Sequence, residues 1–227
     1  MEAIIFDFDG LILETETPIY QSWLELYQAY HQLLPWDEWQ TSVGTLESPF
    51  DPYADLEQRV GMRLDWDQID EHRRQREWEL VVTEPVLPGV MDCLDQARQI
   101  GLKLGLASSS PHNWVDAHLH RLGLFDYFQV IQCSEDVSLT KPDPALYEQV
   151  IKILQVNRTT AFALEDSPAG ALAAHRAGLF CVVVPNAMTR HMKFEVGDMF
   201  IDSLADYPLF DLIQEIKIRT GRDGNHA

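Results

Sequence analysis

Near the amino terminus the apolar run Ala3-Ile4-Ile5-Phe6 ends in Asp7-Phe8-Asp9-Gly10, two carboxylates one residue apart and then a glycine. A short apolar run bounded by a turn signal predicts a buried strand. Side chains two apart on an extended chain point the same way, so Asp7 and Asp9 are expected to project together from its carboxyl end. In an open α/β sheet ligands bind beyond that end. Two like charges held this close away from water are costly, unless a cation lies between them or one carries a proton. Either remedy is chemistry. A calcium-loop reading fails, because an EF-hand loop takes its glycine at the sixth position, after three spaced oxygen ligands, whereas Gly10 directly follows Asp9. An acidic turn with no chemistry fits the stretch in isolation, and the downstream sequence argues against it.

Three later junctions share a grammar. Ser110-Pro111, Asp143-Pro144 and Ser167-Pro168 each place a good N-cap before a proline suited to a first helical position. The residues just before these caps, Ser108, Lys141 and Asp166, then lie in loops at the carboxyl ends of strands, facing the same crevice as Asp7 and Asp9. The crevice would hold Asp7, Asp9, Ser108, Lys141, Glu165 and Asp166. A carboxylate nucleophile, a second carboxylate, a hydroxyl donor, a lysine and metal-binding acids are what phosphoryl transfer through an aspartyl-phosphate requires. Taken singly each has a plainer reading, a loop serine for Ser108 in its Ser-Ser-Ser run and a solvated side chain for Lys141. Their order and shared location carry the chemistry.

The elements that position these residues follow a βα rhythm. Helices are expected at 90–100, 111–122, 144–154, 168–177 and 207–219, and strands at 102–107, 128–133, 161–164 and 180–184. Such alternation predicts an α/β fold, a Rossmann-like parallel sheet with helices on both faces. Residues 17–84 break the rhythm. Tyr20, Trp23, Tyr27 and Tyr30 recur at helical spacing, a packing stripe, and four tryptophans stand further on at 36, 39, 66 and 78. This block is expected to be an inserted helical lobe on a core made of residues 1–16 and 85–220, with a flexible tail at 221–227. Within it, Arg73, Arg74 and Arg76 concentrate scarce cations. A solvated helix face is the plainer reading, and an anion-holding role in the cleft the other.

The chain has 36 acidic and 17 basic side chains, a formal charge of -19. Such a field repels polyanions and argues against nucleic acid or an anionic membrane as partner. A small phosphorylated metabolite is still admitted, since Mg²⁺ and a local cation can reverse the sign inside a cleft. Cys93, Cys133 and Cys181 are odd in number and sit in apolar contexts, which suits reduced core residues. With no leader pattern and no apolar stretch of membrane-spanning length, a cytoplasmic protein is the expectation, and a monomer.

Across nearly its whole length the sequence resembles the haloacid dehalogenase-like superfamily, in its β-phosphoglucomutase-like branch with a helical cap. Phe-Asp-Phe-Asp-Gly resembles the first motif, Leu-Ala-Ser-Ser-Ser the second, Lys-Pro-Asp-Pro the third and Leu-Glu-Asp-Ser-Pro-Ala-Gly the fourth. The resemblance implies that Asp7 attacks phosphorus while Asp9 protonates the leaving oxygen and then activates water. It also implies Mg²⁺ between Asp7, Asp9 through its carbonyl, and Asp166, with Glu165 in or near the shell. Ser108 with Ser109, Lys141 and backbone amides after Asp7, Gly10 among them, would hold the phosphoryl oxygens. Departures bear on substrate. Glu14 stands where aspartate is usual, Ile19 lies about where the mutase pattern carries a catalytic histidine, and Gly44-Thr45-Leu46 lacks the cap arginine for a distal phosphate. Mg²⁺-dependent phosphomonoester hydrolysis is therefore expected ahead of a mutase, with a non-catalytic phosphometabolite-binding protein behind both.

Overall fold

In the computed structural model, which describes residues 1–43 and 48–221, Ala3–Phe6 forms β1 at the centre of the sheet. Residues Gly44, Thr45 and Leu46 and the tail from 222 onward lie outside the described residues. The other strands are β2 (Lys103–Ala107), β3 (Val130–Gln132), β4 (Ala161–Glu165), β5 (Phe180–Val183) and β6 (Met199–Phe200). Their order is β3-β2-β1-β4-β5-β6 and every pairing is parallel. Phe6 lies level with Leu106 on one side and Leu164 on the other. The residues just beyond β1, β2 and β4 therefore emerge together at one edge.

Alternation explains why the strands read as unbroken apolar runs. Ile4 and Phe6 face one core cluster and Ala3 and Ile5 the other, so a central strand buries both sides. The first cluster is closed by α5 (Val90–Gln99), α6 (His112–Leu122) and α9 (Leu209–Arg219), the second by α7 (Ala145–Leu154) and α8 (Pro168–Arg176). The three cysteines are buried and unbridged. No helix among the described residues is long and apolar enough to cross a membrane.

Between β1 and α5 the chain forms α1 (Glu16–Ala29), α2 (Trp36–Trp39), α3 (Pro52–Val60) and α4 (Trp66–Val81). Trp23 and Tyr27 bury the expected stripe against Leu34, Trp39, Val43, Phe50 and Leu56, with Tyr20 and Tyr30 packed at its margin. Met188, from the loop after β5, is buried in this same cluster. The linkers into and out of the helical segment hold each other: the Leu87 amide donates to the Ile12 carbonyl at 2.9 Å, and Leu13 bridges Val86.

Several boundaries differ from expectation for local reasons. β6 is a two-residue strand at the sheet edge, too short to leave an alternating pattern. The last helix begins at Leu209, after Pro208 in extended backbone. Of the three cap-and-proline junctions, Ser167 caps as expected, accepting from the Gly170 amide at 3.1 Å. Asp143 accepts from the Ala145 amide at 2.9 Å across Pro144. Ser110 does not cap α6. Its hydroxyl donates to Asp9 at 2.6 Å, and the first amide of α6, that of His112, is met by the Glu135 carboxylate at 3.1 Å.

Candidate active site

Asp7 leaves β1 with its amide still bonded to Leu164 of β4, at 3.0 Å. Its carboxylate is buried and accepts from Lys141 Nζ at 2.5 Å. The same ammonium donates to Glu165 Oε1 at 2.6 Å, and the Tyr147 hydroxyl donates to that oxygen too. Glu165 ends β4, and its carboxylate folds back over the first turn of α8. A Cβ on Gly170 would overlap both of its oxygens, so only glycine fits beneath it. Asp166 accepts from Asn186 Nδ2 at 2.7 Å, and Asn186 also donates to the Gly10 carbonyl at 3.2 Å.

One lysine thus faces three buried carboxylates. Burial pushes Asp7 up to about 7; the Lys141 charge works against that shift and the Glu165 and Asp9 charges add to it. Burial first, then Asp7 and Glu165, hold Asp166 well above the ordinary carboxylate range. Burial pulls Lys141 down, but Asp7 and Glu165 outweigh it and keep the ammonium charged. Oxygens of Asp7, Glu165 and Asp166 lie within 4.8 Å of one another. An all-oxygen, charge-excess donor set of this kind suits a hard divalent cation such as Mg²⁺.

Asp9 stands apart from that group. Its Oδ1 accepts from the Trp114 indole N–H at 2.9 Å, and its Oδ2 from Ser110 Oγ at 2.6 Å and Ser108 Oγ at 3.3 Å. Three donors turn the Asp9 side chain away from the Asp7, Glu165 and Asp166 carboxylates, and its expected part in the metal site is through the main-chain carbonyl. The expected Gly10 phosphate contact is revised, because the Gly10 amide donates to the Leu13 carbonyl at 2.8 Å. Gly10 instead makes room: at φ 76°, its Cβ would collide with Asp166 Oδ2 and Asn186 Nδ2.

Both aspartates open on a cleft of about 450 Å³ between the sheet edge and the helical segment, lined also by Ile19, Trp23, Trp39, Tyr53, Arg73 and Ser109. Ser109 Oγ is buried with no partner among the described residues. Arg73 reaches this wall, its guanidinium over the Trp23 ring at 4.7 Å and bonded to Asp70, Glu77 and Ser22. Arg74 and Arg76 are exposed and paired with Asp70 and with Glu25, which takes them out of the cleft. On a helix Asp70, Arg73 and Glu77 share one face, and Arg74 and Arg76 flank it on opposite sides.

The profile of haloacid dehalogenase-like hydrolases matches residues 1–178. The chain belongs to this family. YhcW of Bacillus subtilis (strain 168), named a candidate phosphatase, is 41% identical over 216 residues, 95% of this chain and 98% of that one. Validoxylamine A 7'-phosphate phosphatase of Streptomyces hygroscopicus subsp. limoneus is 30% identical over 184 residues, 80% and 84% of the two chains. Among solved structures, CbbY from Rhodobacter sphaeroides in complex with phosphate superposes with a TM-score of 0.72 at 28% identity, covering 91% of this chain and 96% of that one.

In this haloacid dehalogenase-like hydrolase, the motif residues lie where the strand ends bring them. Others left no comparable signal. Tyr147 and Gly170 read as ordinary helix residues, and Trp114 meets Asp9 across 105 positions of sequence. Asn186 was findable, since it lies beyond β5 at the same carboxyl edge. Glu14, a methylene longer than the branch's usual aspartate, accepts from the Thr17 amide at 3.0 Å and so serves the first turn of α1.

Proposed function

We propose that the protein is a Mg²⁺-dependent phosphatase acting on a small phosphomonoester, a sugar or polyol phosphate, through an aspartyl-phosphate on Asp7. The observation that carries this reading is a buried Asp7 carboxylate, paired with Lys141 and open to a cleft whose other wall is aromatic. Ionised Asp7 attacks phosphorus, the bond from phosphorus to the leaving oxygen breaks, and Asp9 gives that oxygen a proton. Asp9 then takes a proton from water, the water oxygen attacks phosphorus, and Asp7 is released. Lys141 favours the ionised form of Asp7 between turnovers, and Ser108 and Ser109 would hold phosphoryl oxygens. Asp7, Glu165 and Asp166 would hold the Mg²⁺, which supplies Lewis-acid polarisation and neutralises charge when bound.

Substrate selection falls to the helical segment, residues 17–84, acting as a cap. Trp23, Trp39 and Tyr53 offer apolar faces, and Arg73 is already neutralised by Asp70 and Glu77. Glu16 and Glu77 also line the cleft. Such a wall favours an uncharged, hydroxylated body over a second phosphate. Ile19 lines the cleft as an apolar side chain with no proton to move, which weighs against a mutase. The relatives' names, which include validoxylamine A 7'-phosphate phosphatase, support a phosphatase of a small phosphorylated molecule.

The test is a panel of sugar and polyol monophosphates and matched bisphosphates with Mg²⁺. Phosphate release from monophosphates, abolished by chelation and restored by Mg²⁺, is expected. Full turnover by verified metal-free protein, or bisphosphate-dependent isomerisation without phosphate release, would contradict the reading.

A further inference from the structure

We propose that Trp114 is the positioning residue of Asp9, its indole N–H fixing the orientation of the Asp9 carboxylate for its work as acid and base. The proposal rests on the reading of Asp9 as acid and base. An indole N–H can only donate, so Oδ1, which it meets at 2.9 Å, is held as an acceptor. Oδ2 accepts from Ser110 Oγ at 2.6 Å and from Ser108 Oγ at 3.3 Å. Donors on both oxygens thus fix the plane of the carboxylate, and Trp114 supplies the one on Oδ1.

The indole is clamped for this task. Trp114 lies in the first turn of α6, with its ring edge-on to His118 at 4.4 Å between centroids and to Trp78 of α4 at 6.0 Å. His118 is fully buried and its ring lies tilted by 30° against Trp78, at 4.5 Å between centroids. Burial, with the nearby Arg121 charge, lowers its pKa to about 4, so the ring is a neutral spacer. Three rings contributed by two separate parts of the chain therefore fix the direction of one N–H. Trp78, unlike the tryptophans of the helical segment's own cluster, spends its ring on this contact.

A misplaced general acid is felt where the leaving group needs a proton and is silent where it does not. Trp114→Phe keeps an aromatic ring and removes the N–H. Read as the single-turnover rate of leaving-group release, which isolates the phosphorylation step from the later attack of water, the rate with an alkyl phosphomonoester should fall about 10- to 100-fold while KM stays within about twofold, and the burst of p-nitrophenolate from p-nitrophenyl phosphate should change little. Asp9→Asn, assayed in parallel, should show the same leaving-group pattern more strongly. Equal losses on both esters, or a change confined to KM, would overturn the positioning role. An Asp9→Asn variant without leaving-group dependence would instead overturn the acid–base reading beneath it. A second measurement does not depend on how Trp114→Phe folds. In ¹⁵N-labelled wild-type protein the sequentially assigned Trp114 indole N–H resonance should lie downfield, and should move upfield in Asp9→Ala. An indole resonance indifferent to Asp9→Ala would also defeat the proposal.

Discussion

At the scale of single residues the site is a problem in charge balance. Lys141 is 2% exposed and sits between Asp7 and Glu165. Removing one partner of a buried ion pair leaves uncompensated charge and costs about 3–5 kcal/mol. Lys141→Met is therefore expected to lower unfolding stability in urea by about that much and to abolish turnover, since Asp7 loses the cation that favours its ionised form. A stable, active Lys141→Met protein would show that the pair does neither job. Gly10 makes a steric prediction. Any Cβ there is strained at φ 76° and overlaps Asp166 and Asn186, so Gly10→Ala should weaken Mg²⁺ binding by isothermal calorimetry along with kcat. Wild-type affinity in that variant would mean that Asp166 does not depend on the fit. The motif residues were legible in the sequence because their chemistry is unusual in any setting. Gly10 was legible as important, but its function was not, because the partner that uses its amide, Leu13, is visible only once the turn is folded.

At the scale of elements the sheet does the positioning. Strand ends were readable because apolar runs and proline-marked helix starts repeat along the chain. The loops that leave those strand ends were less so. Three junctions with one local grammar serve three purposes: Ser167 caps, Asp143 caps across a proline, and Ser110 holds a carboxylate 101 residues away. Propensity describes a residue's neighbours in sequence, and Ser110 answers to a neighbour in space. α6 also carries a pH-sensitive packing residue, His118. Its folded pKa is lowered to about 4 from an ordinary 6.5. Between those values the unfolded chain binds a proton that the folded chain refuses, so this contribution is present above 6.5 and is lost as pH falls toward 4. Thermal melts from neutral to mildly acid pH should show wild-type protein losing more stability than His118→Phe. Parallel pH slopes for the two proteins would show that His118 accepts its proton without cost to the fold.

At the scale of the whole molecule, the helical segment hangs on two linkers bonded to each other at Ile12 and Leu87, while Met188 of the core loop reaches into its cluster. Phosphoenzyme chemistry must admit substrate and then control water, which a hinged cap achieves. With Mg²⁺ and a trifluoroberyllate phosphate analogue, small-angle scattering should report a smaller radius of gyration; no change despite calorimetrically proven binding would argue for a rigid cap. The helical spacing of Tyr20, Trp23, Tyr27 and Tyr30 was readable in the sequence, and Trp23 and Tyr27 are buried in an aromatic cluster. The sequence did not show that Trp78 stands outside that cluster against Trp114 and His118, because helical spacing gives a face and not the surface that meets it. The central claim is that Asp7 becomes phosphorylated. The direct measurement is peptide mass spectrometry of Asp9→Asn protein, acid-quenched during incubation with Mg²⁺ and p-nitrophenyl phosphate. The account predicts one phosphoryl group on the peptide containing Asp7, absent from the double variant that also carries Asp7→Asn. No phosphoryl group at Asp7, together with near-wild-type turnover by Asp7→Asn alone, would contradict it.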